Sequence, residues 1–518
     1  MKYLCFLFLC LIIAACSETN MDNENPNIVF LLSDDQRDNT FGAMGHPFVK
    51  TPHTDLLING GVRFSNAYIA EPTCSPSRIS FFTGMYERVN GVGFSSSYQL
   101  SEKQWEISYP ELLRANGYYT GFIGKFGVEY YSFKNRASEK FDYWRGHDGW
   151  AKFWVKTAGN CQAYYDLDED IITPAMGESI TDFLNSTPDN KPFCLSVSFS
   201  VPHGSQINSM FPDSKGLNKC LVKANENPDL KGNPFYDQLY REQNIEIPKE
   251  TATNPYAYIP ELIMDQNQGR ANQTYIYDYD RESCLEHHIR YYQQISGMDK
   301  VIGDMVETLK EKGLFNNTII IFASDHGLLM GEYGMGGKAL LYDLTMKIPC
   351  FIYDPRLPEG TKGLTIDKLV SSLDITSTIL EYAGITPSVD MQGRSLIPLI
   401  NGDESDWREE LFLENLYTGR DNPFCEGIRI GNFKYIRMFD GVNNYIEGNV
   451  DFSKMKPDFE QLFDLGSDPE EMINLIHEFE GTEILEQFRE KTKAHSNQLN
   501  NTRTSYVNRH EVETRLKE

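Results

Sequence analysis

Positive charge is what this chain has least of relative to its length: 48 lysines and arginines face 74 aspartates and glutamates, a net charge of −26 over 518 residues. A field of that sign repels polyanions at long range and argues against nucleic acid as a partner, so an anionic ligand must meet a local cationic pocket. Long apolar runs are also missing. The run Leu4 to Ala15 falls short of the roughly 20 residues a bilayer-spanning helix needs, which argues against a transmembrane anchor. Biased tracts and internal repeats are absent. With 40% hydrophobic and 24% charged residues, the composition is that of a folded globular protein and not a disordered one. At this length a single core stops growing, so one large domain plus a smaller one is expected.

The first residues read as a targeting segment: Lys2, the short apolar run, then Ala14-Ala15-Cys16 and a polar stretch from Ser17 to Asn25. The small-small-Cys ending resembles the bacterial lipobox, which implies cleavage before Cys16, lipidation of its thiol and export to a bacterial membrane surface, on the periplasmic face or outside the cell. A plain secretory signal is the alternative, and it exports the protein too. Residues 1–15 are thus expected to be the signal peptide and 16–26 a tether. Export permits disulfides among Cys161, Cys194, Cys220, Cys284, Cys350 and Cys425, although buried free thiols are as well supported in a chain with this much core.

Four apolar runs read as buried parallel strands: Asn27 to Ser33, Phe193 to Val201, Thr318 to Ser324 and Pro349 to Tyr353. The clearest helical period runs from His287 to Lys312 with Gly313 as its C-cap. Alternation of the two predicts an α/β domain around a mainly parallel sheet, with ligands beyond the carboxyl ends of the strands. Residues 204–286 read as a long polar insertion over those ends. After Gly393-Arg394-Ser395-Leu396 the pattern shifts to short alternating segments, including Gly427 to Arg437 and Gln461 to Leu465, which predict a small antiparallel sheet. The expected division is therefore 27–395, 396–500 and a polar tail 501–518.

Acidic pairs stand where strands end. Asp34-Asp35 follows the first run directly and Asp325-His326 follows the third. Taken alone, each pair reads equally well as a strand-end cap, but two like charges on an apolar strand are costly to bury without a cation. An oxygen-rich ligand set favours calcium, with magnesium second, over zinc.

Cys74-Ser75-Pro76-Ser77-Arg78, followed by Thr83-Gly84, is the most informative segment. Alone it fits a buried cysteine near a helix start. With the acidic pairs on either side in chain order, the sequence resembles the formylglycine-dependent sulfatases, and the likeness extends from about Asn27 to Leu475 through Thr51-Pro52, Asp374-Ile375, Gln392 to Leu396 and Leu462 to Leu465. The resemblance implies the alkaline-phosphatase-like sandwich with a small C-terminal antiparallel subdomain. It implies that a formylglycine-generating maturation enzyme oxidises Cys74 to an aldehyde whose hydrate is the nucleophile. It also implies a metal held by Asp34, Asp35, Cys74, Asp325 and His326, the last standing where the family often has Asn.

A sulfate ester carries a charge that fixed donors should surround. Lys125 in Gly124-Lys125-Phe126, His203 in Val201-Pro202-His203 and Lys338 in Gly337-Lys338 match family segments and are the expected sulfate pocket, with His203 or Lys338 protonating the leaving oxygen. Arg78 is expected to hold the diol and brace the carboxylates. One departure stands out. The family usually reads Gly-Lys-Trp-His where this chain has Gly124-Lys125-Phe126-Gly127, so a histidine credited with deprotonating the diol is missing; His53 and His147 are candidate substitutes, while His46 and His53 are better explained structurally. The expected substrate is a sulfated polysaccharide or oligosaccharide, with the acidic composition favouring algal glycans over glycosaminoglycans or mucin. The rivals are a phosphodiesterase or phosphonate hydrolase of the same superfamily and a non-catalytic glycan-binding lipoprotein.

Overall fold

A computed structural model describes residues 25–503 apart from 94–99, 129–136, 158, 211–232, 252, 254–257, 261–262, 264–280, 389, 418–421 and 440–453. The expected signal peptide, Cys16, Cys220, much of the 204–286 insertion and the tail beyond 503 lie outside the described residues. Among the described residues no helix is long and apolar enough to cross a membrane, and Cys74, Cys161, Cys194, Cys284, Cys350 and Cys425 are all buried free thiols.

The central sheet has eight strands: β1 (Asn27–Ser33), β2 (Val62–Tyr68), β3 (Tyr119–Lys125), β4 (Tyr143–His147), β5 (Phe193–Ser198), β6 (Thr318–Ser324), β9 (Phe351–Tyr353) and β10 (Leu364–Ser371). Two short strands, β7 (Leu329–Met330) and β8 (Gly336–Gly337), pair with each other beside it. The order across the sheet is β10-β2-β9-β6-β1-β5-β3-β4. Strands β1 and β6 are buried along their whole length, because layers cover both faces. Ile28, Phe30 and Leu32 of β1 point one way, against Ile79 and Phe81 of α1 (Cys74–Thr83) and Ile379 and Leu380 of α4 (Leu373–Tyr382). Val29 and Leu31 point the other way, against α2 (Ile172–Ser186) and α3 (Arg281–Glu311). Period-two alternation with both sets apolar is what a sandwiched strand requires.

Pairing is parallel throughout the sheet except at β9, which runs antiparallel to both β2 and β6. The expectation of a parallel strand over Pro349 to Tyr353 is therefore corrected in length and direction. A parallel return needs a crossover to the far end of the sheet, and the chain after β6 instead stays at the carboxyl end, in the loop that carries Lys338. Helix α3 starts six residues earlier than its periodicity suggested. It ends as expected, with Gly313 at φ 70° and the Leu314 N–H reaching back to the Leu309 carbonyl at 2.8 Å.

The C-terminal region forms a four-stranded antiparallel sheet of β11 (Glu410–Asn415), β12 (Phe424–Ile430), β13 (Phe433–Phe439) and β14 (Phe459–Asp464). Gly427 to Arg437 is not one strand but a hairpin, turning at Gly431, where φ is 57°. Leu413, Ile436 and Phe463 of this sheet join the same apolar cluster as Phe30. The last helix, α5 (Glu483–Arg503), returns to the body, where Ser496 accepts from the buried Arg88 guanidinium at 2.5 Å.

Candidate active site

Register does most of the placing. Ser33 of β1 pairs with Ser324 of β6, so the residues that follow, Asp34-Asp35 and Asp325-His326, emerge side by side at the carboxyl end of the sheet. Asp35 adopts a left-handed backbone, φ 67°, a conformation that costs a non-glycine residue on the order of 1 kcal/mol or more. Hydrogen bonds hold it there. Its N–H donates to Asp325 Oδ1 at 3.1 Å, and the Tyr291 hydroxyl of α3 donates to its carbonyl at 2.8 Å while accepting the Arg37 N–H at 2.8 Å.

Cys74 is the first residue of α1, after Thr73 in extended conformation. Its Sγ lies 2.8 Å from Lys338 Nζ, 3.3 Å from His326 Nε2 and 3.8 Å from Asp34 Oδ1. Arg78, one turn further along α1, sends Nε and Nη2 to Asp325 Oδ2 at 3.0 and 2.8 Å, Nη2 to Asp34 Oδ2 at 3.1 Å, and Nη1 to the Lys125 carbonyl at 3.0 Å and to Ser198 Oγ. The forked guanidinium thus fixes two carboxylates relative to each other. Ser77 adds a hydrogen bond to the Asp325 carbonyl at 2.5 Å.

Lys125 ends β3 and reaches Asp34 Oδ2 at 2.5 Å. Lys338 reaches Asp35 Oδ1 at 2.7 Å and lies 3.1 Å from His326 Nε2. The loop behind it is dense in left-handed backbone, at Gly331, Tyr333, Gly334, Gly337 and Ala339, and the Ala339 N–H is tied to the Pro72 carbonyl at 3.1 Å. That tie joins the lysine loop to the segment just before Cys74. His203 follows β5; its Nδ1 accepts the Ser205 N–H at 3.1 Å, which leaves Nε2 facing Asp35 Oδ2 at 3.8 Å.

All of these side chains are buried, from 0% exposure at Asp34, Asp35, Asp325 and His326 to 7% at His203. Burial alone would push the carboxyls up, but Lys125, His203, Arg78 and Lys338 hold Asp34 well below the usual carboxylate range, and Lys338, His203 and His326 hold Asp35 down. Asp325 goes the other way: burial and the neighbouring Asp34 raise it to about 6. Burial opposes ionisation of the Cys74 thiol, yet Lys125 and Lys338 carry it well below its ordinary value.

The donor set can hold a divalent cation. Single ligand atoms of Asp34, Cys74, Asp325 and His326 lie within 4.8 Å of one another, as do those of Asp34, Asp35, Cys74 and His203. Asp35 Oδ2 is buried without a hydrogen-bond partner. A buried anionic oxygen left open beside two further carboxylates is what a cation would satisfy.

The structure therefore brings together every residue the sequence singled out for the metal, the nucleophile and the anion pocket. It does not bring His53 there, whose ring lies over Gly303 of α3 while its N–H faces Asp299. His46 receives the Val49 N–H at 3.1 Å and acts locally. His147 lies opposite Lys125 in the β3–β4 register, with Nε2 3.1 Å from Ser200 Oγ, and burial lowers it to about 3. Gly127 stands where the family has the missing histidine. Gly127 sits at φ 67°, and a Cβ there would stand 2.6 Å from Arg78 Cδ. Tyr291 escaped the sequence reading, because within α3 it is one apolar-face residue among many.

Family comparison covers most of the chain. The family model described as Sulfatase matches residues 26–385, and that of the N-sulphoglucosamine sulphohydrolase C-terminal region matches 331–498. An N-acetylglucosamine-6-O-sulfatase of Bacteroides thetaiotaomicron is 25% identical over 507 residues, covering 90% of this chain and 85% of the relative. An ulvan-active sulfatase of Formosa agariphila is 27% identical over 460 residues, covering 84% of this chain and 78% of the relative. Among solved structures, a phosphonate monoester hydrolase of Agrobacterium radiobacter shares the fold with a TM-score of 0.67 at 19% identity, over 93% of this chain and 96% of that one.

Proposed function

The chain belongs to the sulfatase family and is a sulfuric ester hydrolase, and on that premise we propose that it removes sulfate from polysaccharide or oligosaccharide esters using a formylglycine made from Cys74. Relatives that act on N-acetylglucosamine 6-sulfate and on ulvan support a glycan substrate. The observation that carries the reading is the approach of Lys338 Nζ to 2.8 Å from Cys74 Sγ, in a pocket also lined by Lys125 and three carboxylates. The sulfur marks where the oxygen of the converted side chain would sit. A site built to receive an anion beside an oxygen nucleophile needs such fixed cations.

Asp34, Asp35, Asp325 and His326, with the converted residue 74, would hold calcium, which supplies charge neutralisation at the transferring group. The converted residue 74, as its hydrate, would supply an oxygen nucleophile for the sulfur. The remaining work falls to the chain itself. Arg78 keeps Asp34 and Asp325 in fixed relation, Lys125 and Lys338 bind the sulfate oxygens, and His203 or Lys338 gives a proton to the departing sugar oxygen. Export and a lipid anchor at Cys16 would place the enzyme where it meets polymeric substrate.

The phosphonate hydrolase that shares the fold makes release of sulfate over phosphate the informative comparison. Protein made with and without a formylglycine-generating enzyme, assayed on matched sulfate and phosphate esters and on sulfated oligosaccharides, tests the reading. Sulfate release only from the matured protein, with the Cys74 peptide converted by mass spectrometry, is expected. Full activity from protein carrying only unmodified cysteine would sink it.

A further inference from the structure

An indole stands in solvent at the rim of this pocket. Trp150 follows β4 and is 56% exposed, an unusual state for a side chain whose area is mostly apolar. Its place is fixed from several directions. Gly149 makes the preceding turn at φ 67°, and Asn160 Nδ2 donates to the Trp150 carbonyl at 3.0 Å and to the Asp148 carbonyl. Ala151, the next residue, is buried, and its carbonyl accepts the Ser205 hydroxyl at 2.9 Å; that hydroxyl lies 2.9 Å from His203 Nδ1. The Trp150 and His203 rings are nearly parallel, with centroids 6.4 Å apart and planes at 26°. His203 turns its other edge toward Asp35. The backbone that carries the indole is thus latched, through Ser205, to a residue of the anion pocket, while the ring lies beside His203 and is largely open to solvent.

Resting on the glycan-sulfatase reading above, we infer that Trp150 is the platform on which the sugar ring bearing the ester stacks. A sulfate held among Lys125, Lys338 and His203 leaves its sugar ring one bridging oxygen further out, or one oxygen and one methylene further for a 6-sulfate. On the His203 side, that is the space over the indole. The C–H face of a pyranose is apolar and matches an aromatic surface, while its hydroxyls stay in water. An indole has only two side-chain torsions to order, so stacking on it costs little entropy. Inorganic sulfate has no ring and gains nothing from it. This makes Trp150 a specificity residue for cyclic alcohol esters.

The test uses the full, matured chain with N-acetylglucosamine 6-sulfate and an ulvan oligosaccharide as probes. For whichever the enzyme desulfates, Trp150→Ala should raise KM about tenfold or more with kcat changed far less, and Trp150→Phe should recover most of the loss. The inhibition constant of inorganic sulfate against an aryl sulfate should stay within about twofold in both variants. Unchanged KM in Trp150→Ala overturns the platform alone. Equal weakening of sugar and inorganic sulfate also overturns it, since the residue would then be shaping the anion pocket. Wild-type enzyme that desulfates an aryl ester but neither sugar would overturn the glycan reading and this inference together.

Discussion

Replacing Lys338 with methionine separates its two electrostatic tasks. Its ammonium touches Asp35 Oδ1 at 2.7 Å and Cys74 Sγ at 2.8 Å, so it neutralises a carboxylate and faces the reacting atom. Loss of one charge stabiliser from such a site costs on the order of a hundredfold in turnover. Its effect on the cation runs opposite to the effect on rate. An ammonium and a divalent ion about 4 Å apart interact by roughly 8 kcal/mol at an effective dielectric of about 20, twice the value for two unit charges. Taking away an ammonium that occupies a ligand oxygen and repels a divalent ion should therefore strengthen calcium binding. If entering water recovers about five sixths of that energy, about 1.4 kcal/mol remains, a tenfold tighter Kd. Without metal, the same variant leaves Asp35 short of its partner and should be less stable than wild type, by about 3 kcal/mol if the carboxylate stays charged. Calcium titration calorimetry on metal-stripped protein, paired with sulfate release at saturating calcium, reads both effects. Weakened calcium binding alongside the lost turnover would refute the argument, because Lys338 would then be organising the ligands and not competing with the ion.

Three further outcomes follow from the same geometry. His203→Ala should slow esters of sugar alcohols far more than activated aryl sulfates, since a good leaving group needs little protonation; equal slowing would leave His203 only a binding role. Tyr291→Phe removes the hydroxyl that donates to the carbonyl of the left-handed Asp35 and accepts the Arg37 N–H, at about 1–3 kcal/mol, and should weaken calcium about tenfold while the far-ultraviolet circular dichroism stays unchanged; unaltered calcium affinity would remove Tyr291 from the metal site. Gly127→Ala should lower activity and stability together, because its Cβ meets Arg78 Cδ at 2.6 Å; a stable, fully active variant would mean that Arg78 has room to move.

Much of the site could be read from residue order because its groups stand at the ends of runs with a strong period. Asp34-Asp35 and Asp325-His326 follow strands that are apolar throughout, and a register of parallel neighbours brings such ends together without further information. Lys125 ends a strand and His203 follows one. Direction was harder. The apolar character of Phe351–Tyr353 is the same whichever way the strand runs, and only the path of the preceding loop decides it. Support residues were hidden for a related reason. Tyr291 contributes to helix periodicity like any aromatic, and nothing local distinguishes the hydroxyl that braces Asp35. Gly127 could be seen as a departure, but its nearness to the Arg78 side chain, 49 positions earlier, appears only in three dimensions.

The balance of Asp34, Asp35 and Asp325 against Arg78, Lys125 and Lys338 has a consequence for turnover as a cycle. Three carboxylates offset three permanent cations within the pocket, while the whole chain carries −26. A monoester approaches with one negative charge, and inorganic sulfate leaves with two. Outside the pocket, the field of the chain therefore opposes re-entry of the product about twice as strongly as entry of the substrate, which disfavours rebinding of released sulfate. The same field acts on a sulfated polymer through every ester it carries. Added salt, which shortens that field to about 8 Å at physiological strength, should speed capture of long chains more than of single sugars, so polymer length and ionic strength should act together on kcat/KM.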